Sequence, residues 1–483
     1  MVSGKARTVL MNNNPSLDEK EFVAALLSDV FVKHGTAFAN TNEDAFLRRF
    51  ADLYSQYGIK LLTEELPKFG KAIDFALSSS YDELAPLVDG FQSSHPVAYL
   101  LLQELIHSAF RRDQVGRVRI YCGAESELIR TLRQVCYCFY KYELPYTKQQ
   151  EQAVIDSFCS TETDLLPSDD NLRLIRSIID ELPQDAYCSK PWDIPGDGML
   201  LIALRARVLL HKVFEGFDPT AIVPSHGPGA VATRQRLWAK YAWSNVSSRI
   251  TAKYPLDAYF YASTGHVCDS YKEFSSLSEI DLPARVCLVP KDSRGPRLIS
   301  CEPVDFQWVQ QGLGLAIRDR LEEHPFSRYA VHFRDQGPNQ RGALLGSSTG
   351  RYATLDLKDA SDRVSCELVQ LLFPEPLLGF LLACRTVATE LPHGRGILPL
   401  RKFAPMGSNL CFPILASTIW ALLWAAAADQ ETRDSLLVYG DDVVVPSAFA
   451  RNAISVLEQF GLRVNTSKCC TNGSFRESCG VDA

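Results

Sequence analysis

The sequence predicts an α+β fold, helical in its first half and carrying a small antiparallel sheet in its second. Three observations predict it. Residues 1 to about 220 place apolar side chains at three- and four-residue spacing, the repeat of a helix with one buried face. From residue 284 onward, short runs such as Ala284-Arg285-Val286-Cys287-Leu288-Val289 and Tyr352-Ala353-Thr354-Leu355 read as strands bounded by turn residues. Finally, Leu436-Leu437-Val438 and Val443-Val444-Val445 flank Tyr439-Gly440-Asp441-Asp442, which reads as two short strands joined by a tight turn.

The bulk properties bound the answer. A chain of 483 residues has room for two to four domains, and 46% hydrophobic with 22% charged residues is the balance of a soluble globular protein. A net charge of −7 argues against a protein that coats nucleic acid non-specifically, yet leaves room for an enzyme that confines positive charge to a channel. The fourteen cysteines show no paired CxxC spacing, so zinc is not indicated and reduced thiols are expected. The first twenty residues lack the apolar core of a signal peptide. Cys411 to Ala428 carries no charge and sits at the lower edge of membrane-spanning length. A buried helix is the expectation there: Pro413 suits a first helical turn, and Asp429, Gln430 and Glu431 end the run. A crossing would also put Asp441 on the opposite side from everything before Cys411.

Along the chain, helical periodicity recurs near 44–54, 98–110, 125–140, 172–182 and 198–214, and Pro67, Pro145, Pro183 and Pro195 divide it into short helices. His226-Gly227-Pro228-Gly229 is a turn-rich break that reads as a connector, and an aromatic stretch follows to about 275. Residues 284–290 form a strand, Lys291 to Arg297 a basic turn, and Leu298-Ile299-Ser300 a second strand. On that loop Lys291, Arg294 and Arg297 can face one polyanion, arginine offering bidentate geometry to phosphate. Residues 334–341 read as a polar, turn-like linker, and 352–357 as a strand bearing Asp356 near its end. A helix is expected from Arg363 to Leu372, and an amphipathic one from Ala448 to Phe460 ahead of Lys468.

Two adjacent carboxylates in a turn repel each other. Alone, Asp441-Asp442 is explained more simply as a surface turn, since Gly and Asp both favour turns. Asp356 changes the balance. If its strand neighbours the hairpin, three carboxylates converge with enough oxygens for two divalent ions, held roughly 3.5–4 Å apart in two-metal phosphoryl transfer. Lys291, Arg294 and Arg297 would then supply charge for a triphosphate, and Lys468 a proton for a pyrophosphate leaving group.

Taken in order, several segments resemble motifs A to D of viral RNA-dependent RNA polymerases. They are Asp356-Leu357…Ala360-Ser361-Asp362, Pro405-Met406-Gly407-Ser408-Asn409, Tyr439-Gly440-Asp441-Asp442 and Asn465…Lys468. Val289-Pro290-Lys291…Arg294-Gly295-Pro296-Arg297 resembles the basic motif F of the fingers. Asp335-Gln336…Asn339-Gln340-Arg341 and Phe475-Arg476-Glu477-Ser478-Cys479-Gly480 are similar to one family in particular, the levivirus-like replicase catalytic (beta) subunits of positive-strand RNA bacteriophages. After Met406-Gly407 that family often has Asn-Gly, whereas Ser408-Asn409 here is also similar to related narnavirus polymerases.

The resemblance implies a right-hand polymerase. Residues 1–225 would form a helical N-terminal region and fingers, 226–341 fingers with the motif F hairpin, 342–474 the palm, and 475–483 the start of motif E and a truncated thumb. It implies Asp356, Asp441 and Asp442 as ligands of two Mg²⁺ ions, with Mn²⁺ as a substitute, and Lys468 as the general acid. NTP binding would fall to Lys291, Arg294 and Arg297 at the phosphates, and to Gly407 and Ser408 in a loop tracking the templating base. Asp362 and Asn409 would read the ribose 2′-hydroxyl. The implied partners are an RNA template, NTPs, host elongation factors Tu and Ts and a small-subunit ribosomal protein, in the bacterial cytoplasm and without a membrane. Two other readings stay open: a non-catalytic RNA-binding remnant of a polymerase, separable by assaying binding and primer extension together, and a reverse transcriptase, separable by comparing NTP with dNTP incorporation.

Overall fold

Apolar residues at helical spacing need a partner face to bury, and the chain supplies those partners within two separate units. The computed structural model describes residues 19–119, 124–182 and 198–483. One unit runs up to Tyr146 and takes in Pro290–Gly295; the other comprises Thr147–Val289 and Pro296–Ala483. Pro183 and Pro195, expected to separate helices, lie outside the described residues, as does most of the N-terminal segment read for a signal peptide.

The first unit is helical: α1 (Glu19–Lys33), α2 (Glu43–Tyr57), α3 (Leu66–Ser78), α4 (Tyr81–Ser94), α5 (Pro96–Ala109) and α6 (Ala124–Tyr137). Asn42 caps α2 by accepting from the Ala45 amide at 2.8 Å. Helices α3 and α5 pack on α6. The α3–α6 approach is close enough that a Cβ at Gly70 would meet the Cys136 and Tyr137 side chains at 2.9 and 2.8 Å.

The second unit carries α7 (Lys148–Asp164), α8 (Leu166–Asp180) and α9 (Met199–Val213), followed by short helices. Next come β1 (Ala284–Asp292) and β2 (Gly295–Cys301), whose residues 290–295 belong to the first unit, then α10 (Val304–Glu323), α11 (Gly337–Thr349) and β3 (Tyr352–Leu355). The turn between β1 and β2 is tighter than the sequence suggested, so Lys291 and Arg297 sit on strands rather than in a loop. The His226-Gly227-Pro228-Gly229 break is a pinned connector. The buried Lys240 ammonium donates to the Gly227 carbonyl at 2.9 Å and to Gln307 Oε1 at 3.0 Å.

Residues 335–341 are not the linker expected from their polarity. From Gly337 they start α11, which lies on the sheet because its inner positions are small. A Cβ at Gly342 would meet Val444 Cγ1 at 2.9 Å, and one at Gly346 the Tyr352 carbonyl at 2.6 Å.

After β3, the single helix expected over 363–372 is two: α12 (Ala360–Arg363) and α13 (Cys366–Leu372). Ser365 starts the second by accepting from the Leu368 amide at 3.1 Å, which breaks the helical path between them. Then follow α14 (Leu377–Cys384), β4 (Ala388–Glu390), β5 (Ile397–Pro399), α15 (Cys411–Ala426), β6 (Leu437–Tyr439), β7 (Asp442–Pro446) and α16 (Ala450–Gln459).

Two sheets result. One has the order β2-β1-β4-β5; the other is β6-β7-β3, antiparallel throughout, with Leu437 opposite Val444 and Val443 opposite Leu355. Behind the second sheet lies α15, whose residues Pro413 to Ala425 are all buried, with α9, α10, α16 and β6 around it. Its apolar character therefore serves a core, as the sequence suggested. Among the described residues no helix is long and apolar enough to cross a membrane.

Trp420, fully buried in α15, is the test of that core. Trp420→Ala is expected to lower unfolding free energy by about 3–5 kcal/mol, read by urea denaturation of the purified chain.

Candidate active site

The β3–β7 register decides what gathers at the end of this sheet. Leu355 faces Val443, so Asp356, one residue further, is placed against Asp442, one residue earlier on the antiparallel neighbour. Tyr439 faces Asp442 across β6–β7, which leaves Gly440 and Asp441 as the turn. Gly440 has φ of +65°, and a Cβ there would lie 2.0 Å from Phe412 Cε2. Glycine is required twice over, by backbone conformation and by the ring of α15 that packs against the turn.

Asp356 is held from below by the segment after α16. The Asn465 amide donates to the Asp356 carbonyl at 2.9 Å, and Asn465 Nδ2 donates to Oδ2 at 2.7 Å. Lys468 Nζ lies 3.2 Å from Asp356 Oδ1. Across the sheet, Asn339 of α11 donates from Nδ2 to the Asp442 carbonyl at 3.0 Å.

The turn carboxyls are both half-buried and both pushed above the usual carboxylate range. For Asp441 the main cause is burial, followed by the Asp442 and Asp356 charges. For Asp442 burial again leads, with the Asp356 charge adding to it, while hydrogen bonds from Cys479 and the Lys468 charge oppose the rise. Among the described residues no three His, Cys, Asp or Glu side chains are drawn together as a ready metal-binding group, since Asp356 is turned to Lys468 and Asn465. The donor set nonetheless fits a hard divalent cation: carboxylate oxygens only, partly desolvated, with like charges placed side by side.

The other residues singled out from sequence divide. Asp362, at the end of α12, reaches toward this region's second cation: its Oδ2 lies 3.7 Å from Lys402 Nζ, and burial pushes its carboxyl up to about 6. Gly407 has φ of +128°, and a Cβ there would sit 2.0 Å from the Ser300 carbonyl, so β2 passes directly against this loop. Ser408 Oγ donates to Gln310 Oε1 at 3.0 Å. Asn409 is spoken for by α10: Arg318 donates to its Oδ1, and its Nδ2 donates to the Gln310 carbonyl at 3.2 Å. Arg297 is exposed on β2. Lys291 and Arg294 belong to the first unit, where Arg294 pairs with Asp292 at 2.7 Å and stacks 5.2 Å over the Tyr140 ring.

A profile of the family described as RNA replicase, beta-chain matches residues 198–482, well over half of the chain and every candidate site residue from Lys291 to Lys468. The chain belongs to this family. Among its curated relatives, the RNA-directed RNA polymerase subunit beta of Enterobacteria phage SP is 31% identical over 289 residues, covering 59% of this chain and 48% of that protein. The subunit of the same name from Escherichia virus Qbeta is 35% identical over 206 residues, covering 42% and 34%. The chain thus spans about half, or less, of the length of these relatives. A solved RNA-dependent RNA polymerase of a human picobirnavirus (an insertion-loop deletion mutant) aligns over 68% of this chain and 69% of its own. Its identity is 13% and its TM-score 0.27, a level at which fold likeness decides nothing.

Within this replicase-family site, sequence reasoning gave no role to Asn339, Phe412 or Lys402. The first lies in the segment taken for a linker, the second in a run read only as core, and the third is a lone lysine whose neighbours give no signal.

Two outcomes follow. Gly440→Ala should cost at least about 1–2 kcal/mol of stability from the left-handed backbone alone, with displacement of Phe412 adding to it, as measured by denaturant titration. Asp441→Asn should raise the melting temperature of the chelator-treated protein near neutral pH. A carboxyl raised in the fold favours folding when protonated and loses that advantage as pH climbs through its raised value. The variant's gain should therefore shrink as pH is lowered toward about 4, the ordinary carboxylate value.

Proposed function

We propose that this chain carries the catalytic centre of an RNA-dependent RNA polymerase that copies an RNA template by nucleotidyl transfer from NTPs. The observation that supports this most is the placement of Asp356 against the Gly440-Asp441-Asp442 turn on adjacent strands, inside a segment matched by the RNA replicase beta-chain family. In this reading the β6-β7-β3 sheet with α11, α15 and α16 is the palm, over 342–474. Residues up to 225 and 226–341 are fingers, and 475–483 opens motif E.

Asp356, Asp441 and Asp442 would hold two Mg²⁺ ions, or Mn²⁺ in their place. Such ions stabilise the attacking and leaving oxygens of an in-line displacement at phosphorus. The chain's own groups position reactants and balance charge. Asn465 holds the Asp356 carboxylate from the side, and α11 holds the Asp442 backbone, so this end of the sheet does not have to be ordered at the moment of reaction. Lys468 pairs with Asp356 at 3.2 Å; by family resemblance its ammonium would be the proton source for the leaving pyrophosphate. Arg297 would contact the triphosphate. Gly407 and Ser408 would follow the templating base, and Asp362 with Asn409 the ribose.

The relatives are named as beta subunits, which speaks for further subunits in their enzymes. We carry that over as host elongation factors Tu and Ts and a small-subunit ribosomal protein, in the bacterial cytoplasm. Asp356→Asn is expected to cut Mg²⁺-dependent NTP incorporation on a primed RNA template by about 10³-fold or more, with circular dichroism unchanged. Incorporation at the unaltered rate by this variant would contradict the assignment.

A further inference from the structure

Lysine is rarely buried, because its ammonium is costly to remove from water unless it is paired. Lys402 is buried completely, in the strand-like segment between β5 and α15. Its Nζ donates to the Phe158 carbonyl of α7 at 3.0 Å, lies 3.4 Å from the centre of the Phe158 ring, and reaches two carboxylates: Glu162 Oε1 at 3.3 Å and Asp362 Oδ2 at 3.7 Å. The backbone around it is stapled. Arg385 donates to the carbonyls of Leu400, Lys402 and Phe403 at 2.9, 3.0 and 3.0 Å, and Glu162 accepts from the Arg401 amide. That much fixed geometry around one ammonium is more than a lysine needs simply to be tolerated in a core.

What the arrangement does is orient Asp362. One ammonium serves two carboxylates, so it engages a single Asp362 oxygen. The other, Oδ1, is buried with no hydrogen-bond partner. An unpaired buried carboxylate oxygen is an acceptor waiting for a donor. We propose that Lys402 is a positioning residue that holds Asp362 with Oδ1 free for the 2′-hydroxyl of an incoming ribonucleotide, and so sets the preference for NTP over 2′-deoxy-NTP. The inference rests on the polymerase reading above, in which Asp362 meets the ribose. A ribose hydroxyl donates to Oδ1; a deoxyribose leaves it unsatisfied, and a site built to pair a hydroxyl rejects the analogue that lacks it.

The test is equilibrium binding of ATP and 2′-deoxy-ATP to the full chain with a primed RNA template and Mg²⁺, followed by calorimetry, so that it reads even where turnover is slow. Lys402→Met keeps the length of the side chain and removes the charge. It is expected to lower the ATP over 2′-deoxy-ATP affinity ratio about tenfold, through weaker ATP binding with 2′-deoxy-ATP binding unchanged. A role confined to packing would weaken both nucleotides by the same factor, and an unchanged ratio would overturn the proposal. Asp362→Ala separates the two levels. If it also leaves the ratio unchanged, the ribose reading of Asp362 fails; if it collapses the ratio while Lys402→Met does not, the positioning role alone fails. Should Lys402→Met not fold, Glu162→Gln leaves Asp362 as the ammonium's only carboxylate. The ratio should then rise two- to threefold, and an unchanged or lower ratio overturns the proposal. Failure of the unaltered chain to bind either nucleotide would sink the polymerase reading and this inference with it.

Discussion

Leu355 pairs with Val443 across two antiparallel strands, and that register forces like charges together. Asp356 then stands against Asp442, and the turn that β6 and β7 require supplies Asp441 beside it. Left to itself such an end of a sheet would splay. Here the backbones are tied from both sides: the Asn465 amide to the Asp356 carbonyl, and Asn339 to the Asp442 carbonyl, at 2.9 and 3.0 Å. The like charges therefore stay side by side, and both Asp441 and Asp442 are pushed up, first by burial and then by the neighbouring carboxylates. A partly desolvated carboxylate cluster with one ammonium nearby is short of positive charge, and in the function proposed above a divalent cation would supply it.

The rest of the second unit keeps that register from slipping. Helix α15 is buried along Pro413 to Ala425 and puts Phe412 against the Gly440 turn, so core packing and turn conformation are one constraint. Helix α11 lies close to the sheet through Gly342 and Gly346. Arg476, almost fully buried, donates to the Tyr352 carbonyl at 2.6 Å and to the Asn472 and Phe475 carbonyls, anchoring the final residues beside the start of β3. On the far side of Asp356, Lys402 and Arg385 fix the segment leading into the Gly407 loop.

Much of this was legible in the sequence, for identifiable reasons. Val443-Val444-Val445 is a β-branched run and Tyr352 to Leu355 a short, mostly apolar one, both near turn residues, and α15 is an uncharged stretch with Pro413 in its first turn, so local preference and tertiary fold agree. Residues 335–341 misled because Gly337, Pro338, Asn339 and Gln340 carry no apolar stripe; α11 is held by smallness and by one amide, neither of which has a period. The break at Ser365 was hidden because a serine inside an apolar run can cap a helix as well as continue one. Asn465 and Asp356 are 109 positions apart, and Glu162 and Lys402 are 240 apart. Contacts of that separation leave no trace in spacing. Asn409, matched by motif, turned out to be engaged by Arg318 and the carbonyls of α10.

The central claim is that the carboxylates gathered by this register are a divalent-ion site. Electron paramagnetic resonance of free Mn²⁺, titrated with the purified chain in the presence of template RNA and NTP, tests it most directly. Loss of free signal should saturate at two ions per chain, and Mg²⁺ should compete for both. A free Mn²⁺ signal unaffected by the chain would contradict the account.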